Sequence, residues 1–285
     1  MYQATLFIYA FKGNPDRIRA KLAALTNQVL ARCEIVVYAE SPPLQRFYFF
    51  EDAKLSAVAE EYRNSVKEWA ASITAPLLSE NALISVDFAW SKSAFQQKAA
   101  AAKSSELLLF FCSNNSLPPL LRNLIEDSHC PVLVLGDKNW HNPVSILAGI
   151  DPFHRGDRSG NIDTEVVRTA LAFKRKLNGD FSVVHSCFTP PFLVKYRTII
   201  QATHRQVVED FMAEQHWRNI DAHMLYGDPS DTIPNYCQTH QIDLLVIGLG
   251  SRGYFNRQVI GSTCDKLMDT FQYDLLIIPS PQNET

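Results

Sequence analysis

Short apolar runs rich in β-formers alternate with longer helical stretches along this whole chain, and the same order occurs twice. In the first half the runs are residues 5–11, 34–39, 82–90, 106–112 and 131–135. In the second they are residues 144–150, 181–187, 220–226, 242–247 and 274–279. Helical patterns lie between them, at 15–32, 52–78, 163–177 and 194–218. Val166, Ala170, Phe173 and Leu177 recur at helical spacing and give one of these helices an apolar face. Strands that are apolar throughout need cover on both faces. Helices between them supply the crossovers of a parallel sheet.

The repeated order reads as an internal duplication. The polar stretch at 137–143 is the break between the copies. An N-terminal domain over 1–137, a linker over 138–143 and a C-terminal domain over 144–285 are expected. With 285 residues, each half is long enough to bury its own core. A net charge of -3 gives no general attraction to nucleic acid or to anionic membranes. No apolar run approaches the ~20 residues of a membrane-spanning helix. The opening residues read as a strand without the basic region of a secretory signal, so a cytoplasmic protein is expected. The six cysteines are scattered, with no C-x-x-C pair, and read as small buried hydrophobes rather than a disulfide framework.

One segment carries more chemistry than the rest. Asp243-Leu-Leu-Val-Ile-Gly248 is a buried strand that runs into a glycine-rich loop containing Gly250, Ser251, Arg252 and Gly253. Gly261-Ser262-Thr263 then opens a helix. Backbone N–H groups at such a place are aimed at a phosphate. The bland alternative is a helix start capped by Ser262, with Asp265 three residues on. Arg252, Arg257 and Lys266 could neutralise phosphate or simply be solvated cations. Asp151 ends another strand of the same half, at the edge where open parallel sheets bind ligands. It could take sugar or base donors, or serve as a turn residue before Pro152.

Several of these segments resemble the universal stress protein family, in particular its E-type members with two such domains in one chain. Ser145-Ile-Leu-Ala-Gly-Ile-Asp151 resembles the family's first strand, and Tyr226-Gly-Asp-Pro229 the turn before its third helix. Asp243–Gly248 resembles the fourth strand, and Gly261-Ser-Thr-Cys-Asp-Lys266 the helix start that follows it. Asp274-Leu-Leu-Ile-Ile-Pro279 and Cys130-Pro-Val-Leu-Val-Leu135 resemble fifth strands.

The resemblance implies two tandem adenine-nucleotide-hydrolase-like (Rossmann-like) α/β domains. Each is a five-stranded parallel sheet with helices on both faces and strand order 3-2-1-4-5. It further implies a pseudo-dimer of the two domains through their fifth strands. The implied ligand is ATP or another adenine nucleotide, with Mg open, held by Asp151, Gly248, Gly250, Ser251, Arg252, Gly253, Gly261, Ser262 and Thr263 as a regulatory ligand. Ser251 stands where the family motif has its middle glycine.

The first half departs further. Phe11 takes the place of Asp151, and the loop after Cys112 has no glycine and two prolines. This reads as a degenerate site. The chain shows no Walker lysine and no metal-ligand cluster, so hydrolysis would be slow at most. A nucleotide-free interaction module, holding a partner protein or a lipid-like ligand, is the rival reading. Its candidate surfaces are Phe47–Phe50 and the segment 190–194. Protein partner and homodimer stay open. His185 and His223 lie on expected strands and could approach each other, but no zinc spacing exists. Cys187 and Cys264 are candidates for redox sensing.

Overall fold

The computed structural model describes residues 1–40, 52–78, 83–113, 117–154, 162–249, 267 and 271–279. The chain forms two compact units, Met1–Asn114 and Asn115–Thr285.

The first unit contains β1 (Tyr2–Tyr9), α1 (Pro15–Gln28), β2 (Leu30–Tyr38), α2 (Asp52–Leu78), β3 (Leu83–Ala89), α3 (Lys92–Ala101) and β4 (Leu107–Phe111). Its strands run parallel in the order β3-β2-β1-β4. Helix α1 begins where Asn14 accepts the Asp16 N–H at 2.8 Å and Pro15 presets the first turn. It stops at Gln28, earlier than its periodicity predicts. Leu30 to Tyr38 are drawn into a ladder with β1 along its whole length, and sheet pairing overrides the helical pattern there. Phe7 and Phe110 are register partners on adjacent strands, with rings 5.5 Å apart. Phe95 of α3 packs edge-on against Phe7 at 5.2 Å and is fully buried.

The second unit contains α4 (Pro119–Glu126), β5 (Val132–Leu135), β6 (Ser145–Gly149), α5 (Ile162–Leu177), β7 (Asp180–Cys187), α6 (Arg197–Glu214), β8 (Ala222–Tyr226), α7 (Pro229–Thr239), β9 (Leu244–Gly248) and β10 (Asp274–Ile278). Strands β8, β7, β6, β9 and β10 pair in that order and run parallel, the 3-2-1-4-5 arrangement. Strand β5 runs antiparallel beside β10, with Leu275 opposite Val134. The fifth strand of the first sequence repeat therefore groups with the second unit. The compact division falls ahead of α4 and β5, whereas the sequence pattern alone puts the expected break at 138–143.

Strand alternation puts helices on both faces of this sheet. His185 of β7 turns toward α6, where it meets His204. Its neighbour Ser186 turns the other way, to Thr232 of α7 at 2.8 Å. His223 is the register partner of Val184, one place from His185. It therefore faces α7 and packs on Tyr236 at 5.3 Å. The approach of His185 to His223 suggested by their strand positions does not occur, because side chains one register step apart point to opposite faces.

Helix α6 starts later than expected. Pro190 and Pro191 lack N–H groups, and Pro191–Tyr196 forms a 3-10 stretch ahead of it. It ends at Glu214, just before His216 takes a left-handed conformation with φ 60. Helix α7 is capped by Asp228, whose carboxylate accepts from the Ser230 N–H at 2.8 Å. The preceding Gly227 has φ +140, a conformation that strains any L side chain.

Two buried carboxylates fasten the segment between the sequence repeats to this sheet. Asp243 accepts from the Ser145 N–H at 2.9 Å, the His141 N–H at 3.2 Å and His141 Nδ1 at 2.8 Å. Asp274 accepts from the Gly136 N–H at 2.8 Å and Trp140 Nε1 at 2.7 Å. Each charge is taken out of water and repaid by several donors, the condition under which a buried carboxylate is tolerated.

Candidate functional site

In the second unit, β6 and β9 are adjacent and parallel, with Ala148 opposite Val246. Continuing this register brings Ile150 level with Gly248. The chain leaves both strands at their carboxyl ends, and the sheet changes direction of growth between them, since β7 follows on one side and β10 on the other. This is the switch point at which open α/β sheets form a crevice. Asp151 and Gly248 thus stand beside each other, as their strand positions imply.

Asp151 is exposed, and its backbone N–H donates to Asp163 Oδ1 at 2.9 Å. Asp163 sits in the first turn of α5, where the helix dipole favours a carboxylate. Gly248 has a packing reason to be glycine. A Cβ there would lie 2.7 Å from Cδ1 and Cγ1 of Ile162, the first residue of α5. The helix approaches the strand end too closely for a side chain. Gly250, Ser251, Arg252, Gly253, Gly261, Ser262 and Thr263 lie outside the described residues, as do Arg257, Cys264, Lys266 and the aromatic run Phe47–Phe50.

Next to Asp151 lies a group that the sequence does not announce. His185 is buried at the end of β7, and its Nδ1 is 3.0 Å from the carbonyl oxygen of Ile150. Its Nε2 is 2.7 Å from Nδ1 of His204, on α6. Phe153 belongs to the 3-10 turn Pro152–His154 that follows Asp151, and its ring centre is 4.1 Å from that of His204. Burial and the neighbouring His185 hold the His204 pKa below its ordinary value, with Asp151 acting the other way. Six of the chain's eight histidines fall in its second half, which is the one signal available beforehand. Their pairing depends on strand register and on where α6 begins.

The equivalent place in the first unit is built differently. The Ala10 N–H donates to the Tyr38 carbonyl at 2.8 Å, as the Ile150 N–H donates to that of Val184 at 3.0 Å. Phe11 therefore corresponds to Asp151 in structure as in sequence. It adopts φ 59, and its ring packs near Trp69 at 5.9 Å and Tyr62 at 6.1 Å. Gly13, with φ +84, lies against Phe111, whose Cε1 is 2.4 Å from where a Cβ would stand.

A second feature lies at the carboxyl ends of β7 and β8. A cavity of about 250 Å³ is lined by Cys187, Phe188, Arg197, Gln201, Tyr226 and neighbouring residues. Phe188 and Tyr226 line it and are exposed, and Phe192, Val194, Tyr196 and Ile199 are exposed along the chain that follows Phe188. Cys187 itself is buried, and burial raises its thiol pKa, partly offset by a hydrogen bond from Thr189. Among the described residues no group of three or more His, Cys, Asp or Glu is placed to hold a metal ion. Among them, too, no helix is long and apolar enough to cross a membrane.

Comparison with known proteins gives a consistent picture. Residues 146–279 match the universal stress protein family. A curated relative, the universal stress protein E homolog of Haemophilus influenzae, is 21% identical over 180 residues. The match covers 58% of this chain and 58% of that protein, so the chain spans little more than half the length of the relative it matches. Among solved structures, a putative universal stress protein from Pseudomonas aeruginosa superposes with a TM-score of 0.69 at 18% identity, covering 98% of this chain and 94% of the other. A universal stress protein from Archaeoglobus fulgidus superposes with a TM-score of 0.64 at 13% identity, covering 97% and 98%. At these identities the structural matches speak to the fold alone. The fold is the Rossmann-like α/β architecture of those proteins. Through residues 146–279 the chain is similar to the universal stress protein family.

Proposed function

We propose that the second unit binds ATP or a related adenine nucleotide as a regulatory ligand, in a cytoplasmic stress-response protein with two tandem domains of the E type. The observation that carries this reading is the juxtaposition of Asp151 and Gly248 at the switch point of the sheet. Asp151 is exposed there, on the strand end next to the one that feeds the Gly250–Gly253 and Gly261–Thr263 segments. In this reading the carboxylate takes ribose hydroxyls, and the backbone N–H groups of the glycine-rich segment take the phosphates. Arg252 adds charge, and Mg would accompany the phosphates. The first unit carries Phe11 where the carboxylate would stand, and serves as a partner in the fold. The output is a change of conformation or of protein partner, a homodimer included, rather than turnover.

Native mass spectrometry of gently purified protein, followed by titration with ATP and Mg, tests this. A co-purified or added adenine nucleotide bound at one site per chain is expected, and Gly261→Val should abolish it while the thermal unfolding profile stays close to wild type. An empty protein that takes up no nucleotide sinks the proposal.

The 250 Å³ cavity and the exposed apolar side chains between Phe188 and Ile199 support a second reading. Exposed apolar side chains gathered in one segment are candidates for interaction or ligand sites. Here they would hold a protein partner or a lipid-like ligand independently of the nucleotide. A bound mass in the lipid range in the same native spectrum would favour it.

A further inference from the structure

The pair formed by His185 and His204 assigns each ring a defined tautomer. The carbonyl of Ile150 can only accept, so the proton of His185 sits on Nδ1. Its Nε2 then carries the lone pair and accepts from Nδ1–H of His204 at 2.7 Å. That leaves Nε2 of His204 as an acceptor. Among the described residues this nitrogen has no hydrogen-bond partner. The ring is held on one side by His185, 5.0 Å away between centres, and on another by Phe153. It is close enough to Asp151 to feel its charge. A preorganised acceptor of this kind, fixed by a second histidine anchored to the strand end itself, is the arrangement used to orient a functional imidazole.

We propose that Nε2 of His204 is a specificity-determining contact of the nucleotide site, accepting a hydrogen bond from the exocyclic amino group of the base, with His185 as the residue that positions it. This rests on the nucleotide reading given above and adds the determinant of base choice. Two acceptors would then face the ligand, the carboxylate of Asp151 toward the sugar and the imidazole of His204 toward the base. A 6-amino purine offers a donor to that nitrogen, and a 6-oxo purine offers an acceptor against a lone pair. Sites that hydrogen-bond a substrate group discriminate against the analogue lacking it, because the buried partner is left unpaired.

The test compares ATP with inosine triphosphate by calorimetry, in wild-type protein and in His204→Ala. Wild type should prefer ATP by about tenfold, the worth of one net hydrogen bond. His204→Ala should bind both with nearly equal affinity. A preference for ATP that is unchanged in His204→Ala, or no preference in wild type, overturns the assignment while leaving the nucleotide reading standing. Binding of neither nucleotide by wild type overturns the nucleotide reading and this assignment with it. A measurement on wild-type protein alone guards against a variant that fails to fold. With ¹⁵N-labelled histidine, His204 should show a protonated Nδ1 and a bare Nε2, and ATP should shift the Nε2 resonance. A protonated Nε2 in the free neutral protein, or an Nε2 resonance that ATP leaves in place, overturns the proposal.

Discussion

Nδ1 of His141 lies 2.8 Å from Oδ1 of Asp243, and the Asp243 side chain has no solvent exposure. The same carboxylate accepts the backbone N–H groups of His141 and Ser145. One buried side chain at the start of β9 thereby sets where β6 begins. Removing it leaves two backbone donors and an imidazole without their acceptor. Asp243→Ala should lower unfolding stability by about 2–4 kcal/mol, from stranded donors rather than lost packing. His141→Ala should cost clearly less, since the carboxylate keeps both backbone donors. Urea unfolding of the two variants decides this, and equal losses would show that the imidazole contact dominates.

His204 gives the protein a pH dependence of known sign. Burial and the neighbouring His185 hold its pKa below the ordinary imidazole value of about 6.5. Between that lowered value and 6.5 the unfolded chain binds more protons than the folded one, so stability rises with pH there. The contribution is complete above about 6.5 and is lost as pH falls through the folded pKa. His204→Gln removes it. Between pH 7.5 and pH 5.5 the variant should lose less stability than wild type. Parallel losses in denaturant titrations at the two values would remove His204 as the cause.

Thiol reactivity should follow burial. Burial pushes Cys33, Cys112 and Cys237 up to about 12. At pH 8 a thiol of that pKa is ionised to about one part in ten thousand, and the thiolate is the reactive form. Cys130 is half-buried, and its sulfur lies 3.6 Å from Ser128 Oγ. Under native conditions a maleimide should modify Cys130 well before Cys33, Cys112 or Cys237, as read by peptide mass mapping. Fast labelling of Cys112 would show that the first unit opens readily at the end of β4.

The fold was largely legible because its signals are local. Apolar runs such as 244–248 state a doubly covered strand without help from the rest of the chain. The adjacency of Asp151 and Gly248 was legible too, since parallel strand order follows from the family resemblance. What could not be read depends on register between distant segments. Whether His185 faces His204 or His223 turns on a single step of strand alternation. Asp243 and Asp274 read as ordinary polar strand starts, yet their donors come from about a hundred or more residues away, at Ser145, His141, Gly136 and Trp140. No window of sequence contains both partners. The packing role of Gly248 was hidden for the same reason, because the helix that crowds it begins at Ile162.

That crowding separates two reasons for a glycine at the end of β9. If Gly248 were there only to let a ligand approach, Gly248→Ala would leave the free protein as stable as before. The structure expects otherwise, since the new methyl would stand 2.7 Å from two atoms of Ile162 and 3.5 Å from Cγ2 of Val166. Overpacking of this kind costs about 1–3 kcal/mol. Shortening the opposing side chain should relieve it. The double variant Gly248→Ala with Ile162→Ala should then be less destabilised than the sum of the single changes, by about 1 kcal/mol. Additive losses in a thermal or denaturant cycle would mean that the two residues do not press on each other. Gly248 would then owe its place to the ligand alone.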